Sequence, residues 1–204
     1  AGVATGAPPV ITANNITLLR IVLIPLLLVF MVPDHVVDRW IALSIFLLAS
    51  ATDWLDGYIA RSRGQVTNLG KLLDPVADKL LVTAALLPLV RKDLVPDFMA
   101  ALLIGREFLI SGLRSVASAE GVVVPAGQVG KWKMGMSITA ISFLIVTPRN
   151  PANTWPPWVP DGTYFLLGTV FLWVTLTLSV GSAALYFWEY QHFFRSSKEP
   201  PAGP

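Results

Sequence analysis

Cysteine is absent from the 204 residues. Disulfide frameworks, zinc ribbons, iron–sulfur clusters and thiol nucleophiles are therefore excluded, and the redox compartment stays open. Charge is scarce too, at 14% of residues against roughly 25% in an ordinary soluble domain. A soluble globule of this length must cover its surface with charge. With 54% apolar residues, this chain needs a solvent other than water for its exterior, and the lipid bilayer is the obvious one. An excess of one sign is missing as well: 15 basic against 13 acidic residues leave +2, no footprint for nucleic acid. The two histidines, His35 and His192, fall outside the apolar runs, so paired haem ligands within a bilayer are absent. No repeat of roughly 20–50 residues is visible.

What is present is a series of apolar runs close to the roughly 20 residues that carry a helix across a ~30 Å hydrocarbon core. Six occur, at 17–33, 40–61, 70–90, 97–119, 129–147 and 163–188, joined by short connections rich in turn and breaker residues. The expected fold is an all-α integral membrane protein of six transmembrane helices. Residues 13–195 form its single catalytic domain, between Gly-, Ala- and Pro-rich ends at 1–12 and 196–204 that read as disordered. The first run carries Arg20 and Pro25 and lacks a basic leader and a small-residue cleavage site, so it reads as a retained helix. Trp40, Trp155, Trp158 and Trp188 fall near run ends, where amphipathic rings favour the interface. Pro25 and Pro88 lie inside runs and are expected to kink them. Arg61, Arg63, Lys71, Lys131, Lys133, Arg195 and Lys198 gather on one side and Arg39, Arg91, Lys92 and Arg149 on the other. This bias puts both termini and the even connections in the cytoplasm, where the sequon-like Asn15-Ile16-Thr17 is a chance match.

Four carboxylates stand where apolar residues should. Asp53, Asp56, Asp74 and Asp78 lie in or at the ends of the second and third runs, and an ionisable group at membrane depth costs on the order of 2.5–3.5 kcal/mol on insertion scales. Asp53 and Asp56 are i,i+3 and Asp74 and Asp78 are i,i+4, so each pair shares a helix face. Gly57, Ala60 and Gly70 continue those faces with small residues and leave room for a bulky group. A short connection makes the two runs antiparallel neighbours and brings the pairs together at the cytoplasmic end. Such an all-oxygen set suits hard cations, Mg²⁺ or Mn²⁺, which bridge carboxylates to substrate phosphates, and four carboxylates suffice for two ions. The alternative is that the aspartates cap helices or pair with Arg61, Arg63, Lys71 and Lys79; four at these spacings beside three small residues argue against it.

The stretch Asp53-Trp-Leu-Asp56-Gly57-Tyr-Ile-Ala60-Arg61, eight residues, then Gly70-Lys-Leu-Leu-Asp74-Pro-Val-Ala-Asp78 resembles the CDP-alcohol phosphatidyltransferase signature D-x2-D-G-x2-A-R-x8-G-x3-D-x3-D at every defined position. The resemblance implies six transmembrane helices, a homodimer, and an interfacial cavity open to the cytoplasm. It implies transfer of a phosphatidyl-type group from a CDP-linked lipid to an alcohol, with release of CMP. The motif carboxylates would hold the metals on the diphosphate. Asp53, Gly57, Ala60, Arg61 and Gly70 would meet the CDP-lipid, and Asp78 would be the general base.

Further charges bear on the acceptor. Glu107, Ser111, Arg114 and Ser118 form one stripe of the fourth run, with Arg106 about 100° away and not required to share that face. Lys131 and Lys133 open the fifth run from the same side. A basic cluster facing an acidic metal site suits an acceptor that itself carries a phosphate; the alternative is an intramembrane Arg–Glu pair beside lysines that obey the positive-inside bias. Asn14-x2-Thr17-x2-Arg20, Arg106 to Arg114 with Glu107, and Gly130-Lys131-Trp-Lys133 resemble the glycerol-3-phosphate branch of the family, the phosphatidylglycerophosphate synthases, although Met134 stands where that branch has Thr. By that resemblance the substrates are CDP-diacylglycerol and sn-glycerol 3-phosphate in the cytoplasmic membrane, with Arg106, Arg114, Lys131 and Lys133 on the acceptor phosphate. An inositol phosphate or a neutral alcohol is the alternative acceptor. A small cation transporter is a more distant reading, disfavoured because the aspartates crowd one membrane face.

Overall fold

The computed structural model describes residues 13–63, 68–119, 128–149 and 156–196, and the side chains of 19–52, 79–118, 130, 132–149 and 156–188. Among these residues there are six α-helices and no strand: α1 (Ala13–Met31), α2 (Val36–Arg63), α3 (Asn68–Arg91), α4 (Asp97–Ala119), α5 (Gln128–Val146) and α6 (Thr163–Ser196). Each coincides with one apolar run. The expectations for residues 1–12 and 197–204 lie outside the described residues, as does that for Trp155, whereas Ser196, expected in the disordered end, closes α6 because helical hydrogen bonding runs on past the apolar stretch.

Local chemistry explains several boundaries. α3 ends where Asp93 takes a left-handed φ of 61°, a conformation that Asp tolerates better than most side chains. Leu94 N then donates to Leu89 O at 3.0 Å and Asp93 N to Val90 O at 2.9 Å, the paired bonds that satisfy the last carbonyls of a helix. Pro96 precedes α4 and accepts from Met99 N at 3.1 Å. Gly162, at φ 79°, precedes α6 and accepts from Leu166 N at 2.9 Å. Pro25 sits inside α1.

α1 packs on α2 and α3, α5 on α2 and α6, and α4 on α3 and α6. Their shared core holds Leu27, Phe46, Leu86, Leu89, Met99, Ile141 and Leu144, all fully buried. The exterior is apolar as well. Val22, Val29, Leu109, Leu166 and Leu185, on α1, α4 and α6, are 60–70% exposed, large apolar side chains facing outward on three helices. Thr163–Trp188 of α6 is long and apolar enough to cross a membrane by length and composition; Leu19–Met31 and Trp132–Val146 are shorter apolar stretches. Among the described residues α6 is the one clear candidate for the six spans expected from hydropathy; in α4 the ionisable side chains Arg106, Glu107 and Arg114 interrupt the apolar run.

Candidate active site

α4, α5 and α6 meet α2 and α3 around a cavity of about 350 Å³, within the range of small-molecule sites. Apolar side chains such as Leu81, Leu103 and Ile104 floor it; Lys79 from α3, Arg106, Glu107, Ser111 and Arg114 from α4, and Lys133 from α5 supply its polarity. Four cations therefore face one carboxylate among the described lining residues. Glu107 Oε1 accepts from Arg106 NH1 at 3.1 Å and also takes Lys133 Nζ, tying α4 to α5. The helical wheel did not require Arg106 to share the Glu107 face, yet its long side chain reaches the same cavity. Ser118 is exposed and does not line it.

α6, which carries no motif, holds the arginines in place. Arg106 Nε donates to Ser179 O at 3.0 Å and NH2 to Ser182 Oγ at 2.6 Å, while Ser182 Oγ donates to Ser179 O at 3.0 Å. With the bond to Glu107, three of the five guanidinium N–H groups are committed and the plane of the fork is set. The Arg114 guanidinium lies 5.9 Å from the centroid of the Tyr186 ring, a cation–π distance. Sequence reasoning missed Ser179, Ser182 and Tyr186. Their i, i+3, i+7 spacing is the only signal, and it is weak because hydroxyls in apolar helices commonly bond their own backbone, as Ser50, Thr175 and Thr177 do here. Lys79 was foreseen only as a surface partner for the aspartates; it lines the cavity.

Of the remaining expected site residues, Arg20 is fully buried on α1. Asn14 and Thr17 belong to α1, Asp53, Asp56, Gly57, Ala60 and Arg61 to α2, Gly70, Asp74 and Asp78 to α3, and Lys131 to α5; their side chains lie outside the described residues. No group of three or more metal-ligating side chains occurs among the described residues.

Comparison with known proteins agrees with this architecture. Residues 10–181 match the family model for CDP-alcohol phosphatidyltransferase. A Bacillus subtilis protein named CDP-diacylglycerol--glycerol-3-phosphate 3-phosphatidyltransferase is 46% identical over 145 residues, covering 65% of this chain and 75% of the relative. Proteins of the same name from Rickettsia typhi, 34% identical over 89% of this chain and 97% of theirs, and Pseudomonas fluorescens, 41% identical over 80% and 85%, extend the likeness. A family match spanning most of the chain, and relatives covered over 75–97% of their length, mean that this chain belongs to the CDP-alcohol phosphatidyltransferase family.

Proposed function

We propose that the chain transfers the phosphatidyl group of CDP-diacylglycerol to sn-glycerol 3-phosphate, giving phosphatidylglycerol phosphate and CMP. The observation that carries the reading is a cavity in which Lys79, Arg106, Arg114 and Lys133 outnumber Glu107, taken together with the aspartate motif of the sequence. Ser50, which lines the cavity, precedes Asp53 by one turn, and Leu81 and Val82, which also line it, follow Asp78 by one turn. This i,i+3 spacing supports the reading that positions 53 and 78 belong to the cavity's side of their helices. A phosphomonoester acceptor brings about two negative charges at neutral pH, which suits that surplus of cations, and the names of the three relatives support the same acceptor.

Members of the family are membrane-associated and use divalent metal ions. The set Asp53, Asp56, Asp74 and Asp78 has the hard oxygen chemistry that fits two ions, Mg²⁺ or Mn²⁺, which when bound neutralise the diphosphate and the departing CMP. Arg106, Arg114, Lys131 and Lys133 hold the acceptor phosphate, and Glu107 fixes two of them. Gly57, Ala60 and Gly70 give the cytidine nucleotide room, Arg61 contacts it, and Asn14, Thr17 and Arg20 on α1 support the site. The Asp78 carboxylate takes the proton of the acceptor hydroxyl. That oxygen attacks the phosphorus bearing the diacylglycerol, the bond from this phosphorus to the CMP oxygen breaks, and CMP leaves. In the same reading residues 13–195 form one domain whose six helices cross the cytoplasmic membrane as a homodimer, with the cavity on the basic, cytoplasmic side; the apolar exterior supports a lipid environment.

The test is a competition assay with purified protein, CDP-diacylglycerol, Mg²⁺ and a panel of phosphorylated and neutral alcohols, scored by lipid product. Phosphatidylglycerol phosphate is the expected product; an inositol-phosphate lipid would reassign the acceptor, and absence of CMP release would overturn the reaction class. Arg114→Ala and Lys133→Ala are expected to raise KM for glycerol 3-phosphate far more than KM for CDP-diacylglycerol. Equal effects would make these residues merely structural.

A further inference from the structure

At the end of the bundle away from the aspartate motif, a groove of about 380 Å³ runs along α1 and α3. Its floor is apolar, made of Leu28, Met31, Val32, Leu87 and Pro88, and its rim is Asp34, Arg91, Lys92 and Arg149. Val32 and Leu87 are 67% and 56% exposed, so the floor opens outward onto the greasy exterior.

Cations exceed anions at this rim. Arg39 NH1 lies 3.5 Å and Lys92 Nζ 3.7 Å from Asp34 Oδ1, and the Arg149 backbone N–H donates to Asp34 Oδ2 at 3.1 Å. The Arg149 guanidinium reaches Asp93 only at 3.9 Å in a well-exposed pair, which contributes little. Arg91 is exposed. Burial pushes both Arg39 and Lys92 below their ordinary pKa values; Asp34 opposes this in both, while the charges of Arg39 and Arg149 lower Lys92 further. Partly desolvated cations crowded around one carboxylate favour a further anion.

We propose that this end of the bundle binds an anionic phospholipid, with its phosphate between Arg91, Lys92 and Arg149 and the start of an acyl chain in the α1–α3 groove. Guanidinium forks and a neighbouring ammonium group match phosphate oxygens. The apolar floor selects a lipid over free phosphate, because only a lipid covers Leu28, Val32 and Leu87 at the same time. Trp40 on α2 and Trp158, which is 79% exposed, mark this end as the level of the head groups. The proposal needs the membrane reading given above but not the acceptor assignment.

The experiment uses the full chain in phosphatidylcholine nanodiscs titrated with labelled phosphatidylglycerol, with inorganic phosphate as competitor. The Arg91→Ala/Arg149→Ala variant is expected to lose about tenfold or more in affinity, the size of one or two charge-assisted contacts. Lys replacements at both positions should recover part of it, and Lys133→Ala, in the cavity, should leave it unchanged. Equal affinity in the double Ala variant overturns the proposal, as does a Lys variant as weak as the Ala one or a Lys133→Ala loss of equal size. Full displacement by inorganic phosphate would replace the lipid with a free-anion site and overturn the commitment to lipid.

Discussion

Glu107 joins the two halves of the cavity's cationic wall, since one of its oxygens serves both Arg106 and Lys133. Glu107→Gln keeps the shape and removes the charge, leaving two largely buried cations with a weaker partner; a loss of about 1–2 kcal/mol is expected, read as a lower denaturation midpoint in detergent. An unchanged midpoint would mean that the pairings contribute nothing net. Asp78→Asn tests the proposed base: CDP-lipid binding should persist while turnover falls by about a hundredfold or more, the lower range of general-base effects. Wild-type turnover would remove Asp78 from that role. At this scale the sequence was informative wherever residue type alone carries chemistry. Four aspartates at helical spacing are legible as a hard-cation set, and Glu107, Arg114 and Lys133 are legible as one polar group. Arg106 was marked for the acceptor phosphate by resemblance alone, because periodicity locates a Cα on a helix face and says nothing of where a long side chain ends.

Helices were legible almost throughout. The run 97–119 matches α4, and 129–147 differs from α5 by one residue at each end. α2 begins at Val36 rather than 40 and α6 continues to Ser196 rather than 188, since hydropathy marks the apolar stretch whereas helical hydrogen bonds propagate into polar flanks. The role of α6 was illegible. It positions Arg106 through Ser179 O and Ser182 Oγ, contacts between residues more than seventy positions apart. Ser182→Ala is therefore expected to raise KM for glycerol 3-phosphate about fivefold, equivalent to one hydrogen bond of about 1 kcal/mol, with kcat little changed and Ser182→Thr close to wild type. A matching loss in KM for CDP-diacylglycerol would indicate general disruption of α6. The α5–α6 seam is a second test. A Cβ at Gly168 would fall 2.7 Å from Leu144 Cγ and 3.2 Å from Leu144 N; the side chain can turn aside but the backbone cannot. Gly168→Ala should cost about 1–3 kcal/mol, measured as thermal stability of the purified protein, and a neutral result would mean that the helices slide apart freely.

For the molecule as a whole, the two ends of the bundle do different work. The end with the aspartate motif carries a cationic cavity, whereas the other is knitted by Asp34, which contacts Arg39, Lys92 and the Arg149 backbone and so joins the α1–α2, α3–α4 and α5–α6 connections. Asp34→Ala leaves those partly buried cations without their carboxylate and should cost about 2–3 kcal/mol, toward the low side of values for broken buried pairs because Asp34 is itself partly exposed; denaturation midpoints check it, and an unchanged midpoint would make the cluster incidental. Scarcity of charge was enough to indicate a non-aqueous exterior, and exposed Val22, Leu109 and Leu185 agree with it. By itself the sequence determined the apolar character of the chain and the six helices, and it singled out the aspartates and basic residues as candidates for metal and phosphate chemistry, because hydropathy, local hydrogen bonding and side-chain type are local properties. Only the tertiary structure decided that the Arg106 side chain reaches the cavity beside Glu107, that α6 braces it, and that Asp34 gathers Arg39, Lys92 and the Arg149 backbone N–H, because each depends on which distant helices pack together, and that is set by the shape of their side chains rather than by any periodic signal.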